Sequence, residues 1–471
     1  MKTLITNGQV VSSERVYEAD VLIEGEHIIR VGKGFTTGRD VEIIDASGLL
    51  VLPGGVDVHV HLDLPMFGTV SSDDHYTGTK AAAYGGTTTV IDFVSQNSDD
   101  LFDCIRRLRN KADNKAAVDY GLHMNITHLT QDVEEQIPGL INEGVSSIKV
   151  FTAYNDRLRL LDSDIFKVMR IAANHGILTM LHAENGDLIE ILVREALAKG
   201  KKEPIWHART RPAWGAVEAV LRAAALAAVA DAPLYVVHLN VAGEVDMLDY
   251  ARGHGLRVMG ETCPQYLLFT DSELERADAA KWICSPPLRK HEDNLRLWKG
   301  LKDGTIQVLA TDHCPFFYDG QKPIEYEGQS IAIPGKELGD GDFTKIPNGL
   351  PGVGDRIPVL WTKMVASGEF TPSQFVALTS TNPAKIFGMY PKQGGIQPGA
   401  DADIVLWDPT MVVPYGVRMA QHRTDYNLYE SWTLTGYHKR VISRGKTLID
   451  EGRWFGKAWF GKFIHRLPFN A

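Results

Sequence analysis

Short β-rich runs alternate with longer helical patterns over most of this chain, and this alternation limits the fold more than any other feature. Eight such runs occur between residues 56 and 312. They are VDVHVH, TTTVIDF, DYGLHMNI, SSIKVFT, ILTMLHAE, PLYVVHLN, LRVMGETC and IQVLATD. The helical patterns between them include DDLFDCIRRLRNKA, DIFKVMRIAANHG, GAVEAVLRAAALAAVA and EVDMLDYARGHG. Each strand-plus-helix unit takes about 30 residues or more, as βα repeats require.

Eight βα repeats predict an α/β fold in which the strands close into a (β/α)8 TIM barrel. The competing arrangement is an open, doubly wound sheet, as in dinucleotide-binding proteins. That arrangement is less favoured, because no GxGxxG sequence follows the first strand.

The two ends of the chain contain short β-like stretches without the helical patterns that separate the barrel strands. Residues 1–52 contain the β-like stretches LITNGQVV, DVLIEGEHIIRVG and VEIIDASGLLVLPGG, in which Asn7–Gly8 and Glu24–Gly25 indicate hairpins. Strand-like stretches occur again within residues 390–450, in GGIQPGADADIVLWDP and HKRVISRGKTLIDEG. We therefore expect residues 1–52 and 390–450 to form one discontinuous β-sandwich domain beside a barrel of residues 53–389.

The last segment, residues 451–471, is aromatic and basic and reads GRWFGKAWFGKFIHRLPFNA after its first residue. Left exposed on a monomer, these side chains would form an apolar patch of the kind that promotes association. We expect a C-terminal arm that docks on its own barrel or on a neighbouring subunit and takes part in oligomer contacts, rather than a membrane contact.

Charge and cysteine usage narrow the range of partners. Among 471 residues, 49 are Lys or Arg and 59 are Asp or Glu, so the net charge is −10. This balance argues against nucleic acid or an acidic membrane surface as a partner. No run of 18 apolar residues occurs, and the first apolar stretch is too short for a signal peptide. The four cysteines are isolated, which is typical of a reducing compartment, so we expect a cytoplasmic protein.

In a TIM barrel the residues that carry chemistry lie at the carboxyl ends of the strands. Here those ends carry an unusual set of residues: His59 and His61 on the first strand, Lys149 on the fourth, His182 on the fifth, His238 on the sixth and Asp312 on the eighth. His59 and His61 are two residues apart, so in a strand they project from the same face, together with Asp57.

Four imidazoles and a carboxylate on one rim suit Zn²⁺ or a similar divalent ion. Five ligands are too many for one catalytic zinc with an open position, so the set predicts two ions. Two ions roughly 3.5–4 Å apart would hold a hydroxide between them and polarise a carbonyl. Such a pair needs an anionic bridge, and the residue in question is Lys149.

A charged lysine has a pKa of about 10.4 and would repel two dications. Lys149 is therefore either a structural residue in an ion pair or a modified one. A neutral amine reacts with CO₂ to give a carbamate, whose two oxygen atoms can reach both ions. The residues by themselves leave both alternatives open.

Longer segments of the chain, in the same order, resemble the amidohydrolase superfamily and, within it, the cyclic amidases that comprise dihydropyrimidinases and D-hydantoinases. The segments are GGVDVHVHLDLP, SSDDHYTGTKAAAYGGTTTVIDF, SSIKVFTAY, LHAENGD, YVVHLN, ETCPQYLLF, SPPLR, LATDHCP and KIPNGLPGV. The resemblance implies two zinc ions, with manganese as the alternative, and CO₂ captured on Lys149 as a bridging N6-carboxylysine. It assigns the more buried ion to His59, His61 and Asp312 and the second ion to His182 and His238.

The same resemblance implies a mechanism. The bridging hydroxide attacks a ring amide carbonyl, while Asp312 takes up the proton and then delivers it. Tyr154 points at the developing oxyanion. The backbone groups of Ser285, in SPPLR, and Asn348, in PNGLPGV, hold the amide groups of the ring.

Five apolar residues are predicted to line the substrate pocket: Leu64, Met66, Phe67, Phe151 and Leu158. Such a wall accepts an uncharged or aromatic ring substituent and offers an anion nothing to pair with. Dihydroorotases, by contrast, follow the first H-x-H with an arginine that holds the substrate carboxylate. Here Leu62 and Asp63 follow it.

These observations together predict hydrolytic ring opening of 5-monosubstituted hydantoins and 5,6-dihydropyrimidines to N-carbamoyl amino acids. An allantoinase-like ureide hydrolase is the alternative within the class, and it would need polar partners for a ureido side chain. A non-catalytic scaffold of the same fold is the other alternative, although every ligand position is filled. Members of the family are usually homotetramers, so we expect a homotetramer or homodimer that acts on a small molecule.

Two features depart from the family pattern. The stretch from residue 317 to residue 342 is longer than the usual connection after the last barrel strand, and its glycines and prolines favour a surface loop near Asp312. In LPGVGDR, Gly354 stands where most relatives have glutamate.

Three histidines and one cysteine near the predicted site are not expected to take part in the reaction. His123, His128 and His313 are predicted to be hydrogen-bonded structural residues. Cys314 adjoins the site, but no base is placed beside it in the sequence, so we do not expect it to be a nucleophile.

Overall fold

The computed structural model describes residues 2–35 and 41–469. The chain opens with short strands, namely β1 (Lys2–Thr6), β2 (Gln9–Val11), β3 (Val16–Glu18), β4 (Asp20–Glu24), β5 (His27–Gly32), β6 (Val41–Asp45) and β7 (Leu50–Pro53). Strands β4 and β5 form the hairpin predicted at Glu24–Gly25, where Gly25 has a φ of 63°.

The hairpin predicted at Asn7–Gly8 is wrong. Strand β1 pairs with β4 and β6, whereas β2 pairs with β3 and β7, so the chain crosses from one sheet to another at this turn. Asn7 has the positive φ of a turn residue, 64°. Gly8, however, lies so close to Val51 that a Cβ atom added at position 8 would be 2.5 Å from Val51 Cγ2. Tertiary packing against Val51 therefore overrides the local turn preference.

Eight parallel strands form the barrel and pair in chain order. The strands of this part of the chain are β8 (Gly55–Val60), the small hairpin β9 (Pro65–Met66) and β10 (Thr69–Val70), then β11 (Thr87–Val94), β12 (Asp119–Asn125), β13 (Ser147–Phe151), β14 (Leu178–His182), β15 (Leu234–Val236), β16 (Val258–Thr262) and β17 (Val308–Leu309). Beyond β17, His313 bridges to Val60, and its carbonyl accepts a hydrogen bond from His61 N at 2.7 Å. This contact closes the ring and confirms the predicted (β/α)8 barrel.

Helices surround the barrel strands and connect them to the chain ends. They are α1 (Thr77–Tyr84), α2 (Leu101–Ala112), α3 (Gln131–Gln136), α4 (Asp162–Asn174), α5 (Gly186–Ala198), α6 (Ile205–Arg209), α7 (Ala213–Ala230), α8 (Ala242–Gly253), α9 (Pro264–Leu268), α10 (His291–Asp303), α11 (Arg356–Met364), α12 (Pro372–Val376), α13 (Asn382–Ile386) and α14 (Val417–Ala420). Side-chain caps fix several starts, as where Asp100 accepts a hydrogen bond from Asp103 N at the start of α2.

Helix α7 is the one helix in the described part of the chain that is long and apolar enough for a membrane span, with a mean hydropathy of 1.5. Half of it, 50%, is buried within the protein. It packs against α4 and α8 in the outer layer of the barrel, as a core helix does.

Both chain ends contribute to a β-sandwich, as predicted. The later strands are β18 (Ile324–Tyr326) and β19 (Gln329–Ile331), which form a hairpin in the long connection, and then β20 (Ile404–Tyr415), β21 (Trp432–Ser443), β22 (Lys446–Asp450) and β23 (Arg453–Trp454). One sheet has the order β5-β4-β1-β6 and the other β23-β22-β21-β20-β7-β2-β3. Strand β20 pairs antiparallel with β7 and so joins the two ends of the chain. Ile5, Val21, Ile404 and Ile442 belong to the apolar core of the sandwich.

The C-terminal arm crosses the amino end of its own barrel, opposite the strand ends that carry the predicted ligands. Tyr120, near the start of β12, donates its backbone N–H to Lys462 O at 3.0 Å and accepts from Ile464 N at 2.8 Å. The buried Arg466 donates to Ser147 Oγ at 2.9 Å. A part in oligomer contacts stays a prediction for this arm.

Close packing accounts for Gly354. A Cβ atom at this position would lie 2.4 Å from Ala420 O, and the backbone N–H of Gly354 donates to His422 Nε2 at 2.9 Å. The backbone of Ala420 and the imidazole of His422 thus fill the space that a longer side chain would need.

Candidate active site

The six predicted ligand residues lie together at one rim of the barrel. They are His59 in β8 and His61 just after it, Lys149 in β13, His182 at the end of β14, His238 two residues after β15 and Asp312 three residues after β17. Because all eight strands are parallel, their carboxyl ends meet at the same rim, and residues up to 253 positions apart in the chain become neighbours.

His59, His61 and Asp312 form the tightest group. Asp312 Oδ1 lies 3.1 Å from His59 Nε2 and 3.2 Å from His61 Nε2. One ligand atom from each of the three residues lies within 4.8 Å of the other two. Two imidazole nitrogens and a carboxylate oxygen that converge on one point are a donor set that Zn²⁺ and similar ions prefer. These residues therefore fit a divalent metal ion.

His182 and His238 form a second pair of nitrogen donors beside this group. His182 Nδ1 lies 2.9 Å from His238 Nε2. The other ring nitrogen of His182 lies 3.0 Å from Glu184 Oε2, which orients the ring. Burial holds the pKa of His238 well below its usual range, and the neighbouring His182 acts in the same direction. His238 is therefore neutral, which is the form that binds metal ions.

Lys149 lies beside His59 and lines the same cavity as His182 and His238. Its Nζ is 3.0 Å from His59 Nε2 and 4.3 Å from the centre of the Phe93 ring. In the described residues, no carboxylate forms an ion pair with this ammonium. Burial lowers the pKa of Lys149 to about 8, although the carboxylates of Asp312 and Glu261 oppose the shift. A substantial fraction of the amine is therefore neutral near physiological pH.

A buried glutamate that was not predicted from the sequence lies behind the predicted ligand residues. Glu261, in β16, contacts His59 Nδ1 with one carboxylate oxygen and accepts a hydrogen bond from Tyr235 OH at 2.9 Å with the other. Such a partner fixes the orientation and tautomer of a ligand histidine. Its signal in the sequence is a single acidic residue inside the mostly apolar strand VMGET.

Two of the predicted ligand residues have backbone conformations that residues other than glycine rarely adopt. His238 has a φ of 41° and Asp312 a φ of 54°. Strain of this kind costs about 1–3 kcal/mol for each residue and is concentrated at functional sites. The backbone is therefore held in place so that these two side chains turn towards the rim.

A cavity of about 300 Å³ lies over the ligands. All eight residues predicted to contact the substrate line it: Leu64, Met66, Phe67, Phe151, Tyr154, Leu158, Ser285 and Asn348. The β9–β10 hairpin carries Met66 and Phe67, and the segment after β13 carries Tyr154 and Leu158. The cavity thus has apolar side chains from these two segments and polar groups from others.

Three of the polar groups in the cavity are suited to holding a polar ring. Asn348 Nδ2 donates a hydrogen bond to Ser285 Oγ at 3.0 Å, so these two residues form one unit. Burial raises the pKa of Tyr154 above its usual value. Its phenol is therefore protonated and available as a hydrogen-bond donor.

The cavity is also lined by Cys314, which was predicted to adjoin the site, and by residues that were not predicted: Pro65, Ser95, Asn125, Arg157 and Gly349. Arg157 is an exposed, basic residue among those that line the cavity, beside the apolar Leu158. The lining is therefore not entirely apolar, and the preference for an uncharged substituent stays a prediction. No motif marks this arginine, because its place in the lining depends on how the segment after β13 folds over the site.

The neighbouring histidines make structural hydrogen bonds, as predicted. His123 Nε2 lies 2.9 Å from Val58 O, and His313 Nδ1 accepts from Gly352 N at 3.1 Å. His128 lies away from the site, where its Nε2 is 2.6 Å from Asp99 Oδ1. Burial raises the pKa of the Cys314 thiol, so it is protonated and a poor nucleophile.

Known proteins share both the sequence and the fold. The amidohydrolase family profile matches residues 50–448. This chain belongs to the amidohydrolase family. The amidohydrolase is 42% identical over 475 residues to the D-hydantoinase of Geobacillus stearothermophilus. This match covers 100% of this chain and 98% of that protein. The amidohydrolase is also 39% identical over 472 residues to the D-phenylhydantoinase of Escherichia coli strain K12 / DH10B, with 100% of this chain and 99% of the relative covered.

A solved structure with the same architecture is the dihydropyrimidinase from Brevibacillus agri NCHU1002. It superposes with a TM-score of 0.94 at 43% identity and covers 100% of both chains. The predicted resemblance of this amidohydrolase to the cyclic amidases is thus confirmed, and so is the prediction that it is a hydrolase.

Proposed function

We propose that this amidohydrolase opens 5-monosubstituted hydantoins and 5,6-dihydropyrimidines by hydrolysis to N-carbamoyl amino acids. The observation that carries the proposal is a single cavity in which metal-type ligands, the Ser285–Asn348 pair and apolar side chains surround the same space. Similarity over the full length to proteins named D-hydantoinase and dihydropyrimidinase supports it.

The proposed cofactors are two zinc ions, with manganese as the alternative. The converging atoms of His59, His61 and Asp312 fit one ion, and the facing nitrogens of His182 and His238 fit the other. When bound, two such ions would supply a hydroxide nucleophile at neutral pH and polarise the carbonyl under attack.

Lys149 is proposed to hold CO₂ as a carbamate. Its amine nitrogen forms a bond to the carbon of CO₂ and releases one proton, which leaves an anionic N6-carboxylysine. The lowered pKa of Lys149, about 8, favours the neutral amine that this step needs. The position of Nζ, 3.0 Å from His59 Nε2, supports a carboxylate that would lie beside the proposed ligands.

Asp312 is the proposed general base and acid. Burial by itself raises the pKa of this carboxyl, but the imidazoles of His59, His61 and His238 outweigh burial and hold the pKa well below its usual range. Asp312 therefore begins ionised and accepts the proton of the attacking hydroxide. It then delivers that proton to the ring nitrogen as the C–N bond breaks.

Three residues are proposed to position the ring and stabilise its charge. Tyr154 donates a hydrogen bond to the carbonyl oxygen as negative charge develops there, which stabilises the transition state more than the bound substrate. Ser285 and Asn348 hold the amide groups of the ring with their backbone groups. Among the lining residues, the apolar five accept the substituent on the ring: Leu64, Met66, Phe67, Phe151 and Leu158.

We also propose an oligomeric state, a cellular compartment and a division of the chain into domains. Phe455 and Trp459, near the start of the arm, are 56% and 61% exposed, and a second subunit would cover such apolar side chains. We infer a cytoplasmic homotetramer or homodimer. We also infer a sandwich domain (1–52 with 390–450), a catalytic barrel (53–389) and an arm (451–471).

Ring opening of dihydrouracil and of racemic 5-phenylhydantoin tests the function. The protein is supplied with Zn²⁺ or Mn²⁺ and bicarbonate, and the products are resolved on a chiral column. We expect both rings to open and the hydantoin to give mainly the D-carbamoyl acid. If neither ring opens in a sample with two metal ions per chain, the proposal is wrong, and opening of allantoin alone would support the ureide hydrolase instead.

A further inference from the structure

The long connection after the last barrel strand contains a buried lysine side chain that the proposed reaction does not use. Lys336 lies in this connection, and none of its surface (0%) is exposed. Its Nζ donates hydrogen bonds to Ile283 O at 2.9 Å and to Pro347 O at 3.0 Å. Among residues 2–35 and 41–469, no carboxylate forms an ion pair with it. A buried polar group is costly unless it is hydrogen-bonded, so these two hydrogen bonds account for the position of the Lys336 amine.

Both carbonyl groups belong to segments that line the substrate cavity. Ile283 lies two residues before Ser285, and Pro347 lies directly before Asn348. The segments are also bonded to each other, since Gly349 N donates to Ile283 O at 3.0 Å and the Asn348 side chain donates to Ser285 Oγ at 3.0 Å. The ammonium therefore ties together, from behind, the two segments proposed to hold the ring amides.

The connection itself is fixed at its base, so the ammonium has a defined position. The backbone N–H of Lys336 donates to Phe317 O at 2.7 Å, which closes the loop. The carboxylate of Glu337 accepts hydrogen bonds from Gly335 N at 3.0 Å and from Gly320 N at 2.9 Å. These contacts place Lys336 at the junction between the loop and the body of the barrel.

We propose that Lys336 is a positioning residue, which holds Ser285 and Asn348 at the separation that binds the two amide groups of the substrate ring. The inference deepens the proposed function and rests on it. Lys336 acts through the backbone at Ile283 and Pro347 and does not contact the substrate. Burial lowers the pKa of Lys336 to about 7, and both the ammonium and the amine have enough N–H donors for the two carbonyls. The tether therefore persists on either side of that pKa.

The test compares three variants of the metal-replete full-length protein. Lys336→Met shortens the side chain by one bond and removes both hydrogen bonds. Lys336→Gln has the same length as Lys336→Met but keeps a donor, so it serves as the milder change. Lys363→Met removes an exposed ammonium that lies over the Trp432 ring and serves as the control. For each variant, KM and kcat for dihydrouracil, metal content and amide hydrogen exchange at residues 347–350 are measured.

We expect Lys336→Met to raise KM by roughly tenfold or more, with kcat changed less than about threefold, because the tethered groups hold the ring before and during reaction. Lys336→Gln should fall between this variant and the parent. The amide of Gly349 should exchange faster in Lys336→Met, because its acceptor Ile283 O loses the partner that orients it. Metal content should not change, and Lys363→Met should match the parent.

A folded Lys336→Met whose KM stays within about twofold of the parent, with unchanged exchange at Gly349, would overturn the tether. If Lys336→Met does not fold, Lys336→Gln decides by the same two measurements. If the parent opens no ring, the proposed function is wrong, and the exchange of the Gly349 amide still decides whether Lys336 holds this segment.

Discussion

The Glu261 carboxylate lies against His59 Nδ1, and neither side chain is exposed (0% for both). This contact directs the other nitrogen of the same imidazole towards the site, where His59 Nε2 is 3.1 Å from Asp312 Oδ1 and 3.0 Å from Lys149 Nζ. A carboxylate from β16 thus determines which nitrogen of a β8 histidine is available to a metal ion.

Glu261→Gln keeps the volume of the side chain and removes its charge. The amide can turn its NH₂ group towards Nδ1 and so favour the wrong tautomer of His59. We expect metal affinity to fall by about 10–100-fold, measured by competition with a chelator of known affinity. Glu244→Gln is the matched control, since Glu244 is also buried but accepts hydrogen bonds from Asn240 N and Val241 N at the start of α8. Equal affinity in parent and Glu261→Gln would contradict this account.

Lys149→Met keeps a side chain of similar length and removes the amine that would react with CO₂. Without an anionic bridge, two dications at the rim repel each other, so we expect fewer than one tightly bound ion per chain instead of about two. Metal analysis after gel filtration measures this, with bicarbonate present throughout. Two ions per chain in the variant would exclude the carbamate as the bridge.

Leu158→Ala tests the apolar side of the cavity. The lost contact with a ring substituent is worth about 1–2 kcal/mol, so kcat/KM for 5-phenylhydantoin should fall roughly 5–30-fold. Dihydrouracil has no such substituent and should be affected by less than about twofold. Leu161→Ala is the control, because Leu161 is 62% exposed and does not line this cavity. An equal loss for both substrates would mean that Leu158 supports the fold and not the specificity.

The long connection that contains the β18–β19 hairpin contacts the segment that carries part of the substrate wall. Pro334 O, three residues after β19, accepts a hydrogen bond from Thr69 at the start of β10, and Glu327, in the turn of the β18–β19 hairpin, pairs with Lys80 of α1 at 2.6 Å. Replacing residues 323–332 with two glycines removes the Lys80 ion pair that anchors the connection, so it should free Pro334 and loosen the β9–β10 hairpin. We expect KM for 5-phenylhydantoin to rise roughly three- to tenfold, with a smaller change for dihydrouracil.

The control for this deletion is Lys322→Ala, which removes an ion pair inside the loop, between Lys322 and Asp319. It should leave both KM values unchanged. If the shortened protein has the parent's KM for both substrates, the hairpin does not shape the cavity.

The placement of the ligand residues could be predicted from the sequence. His182 and His238 each follow an apolar β run, and parallel strands bring their carboxyl ends to one rim whatever the details of packing. The Asn7–Gly8 turn shows where such reasoning fails. The pair favours a hairpin locally, but contact with Val51 takes the chain into a second sheet.

The sequence by itself therefore determined the eight βα repeats, the chain-end strands and the residues that meet at the rim, because each depends on a local pattern and one topological rule. Only the tertiary structure decided what orients and supports those residues. Glu261 reaches His59 across 202 positions and Lys336 reaches Ile283 across 53. Hydrogen bonds between residues so far apart in the chain produce no periodic pattern in the sequence, because they depend on which buried groups the finished fold brings together.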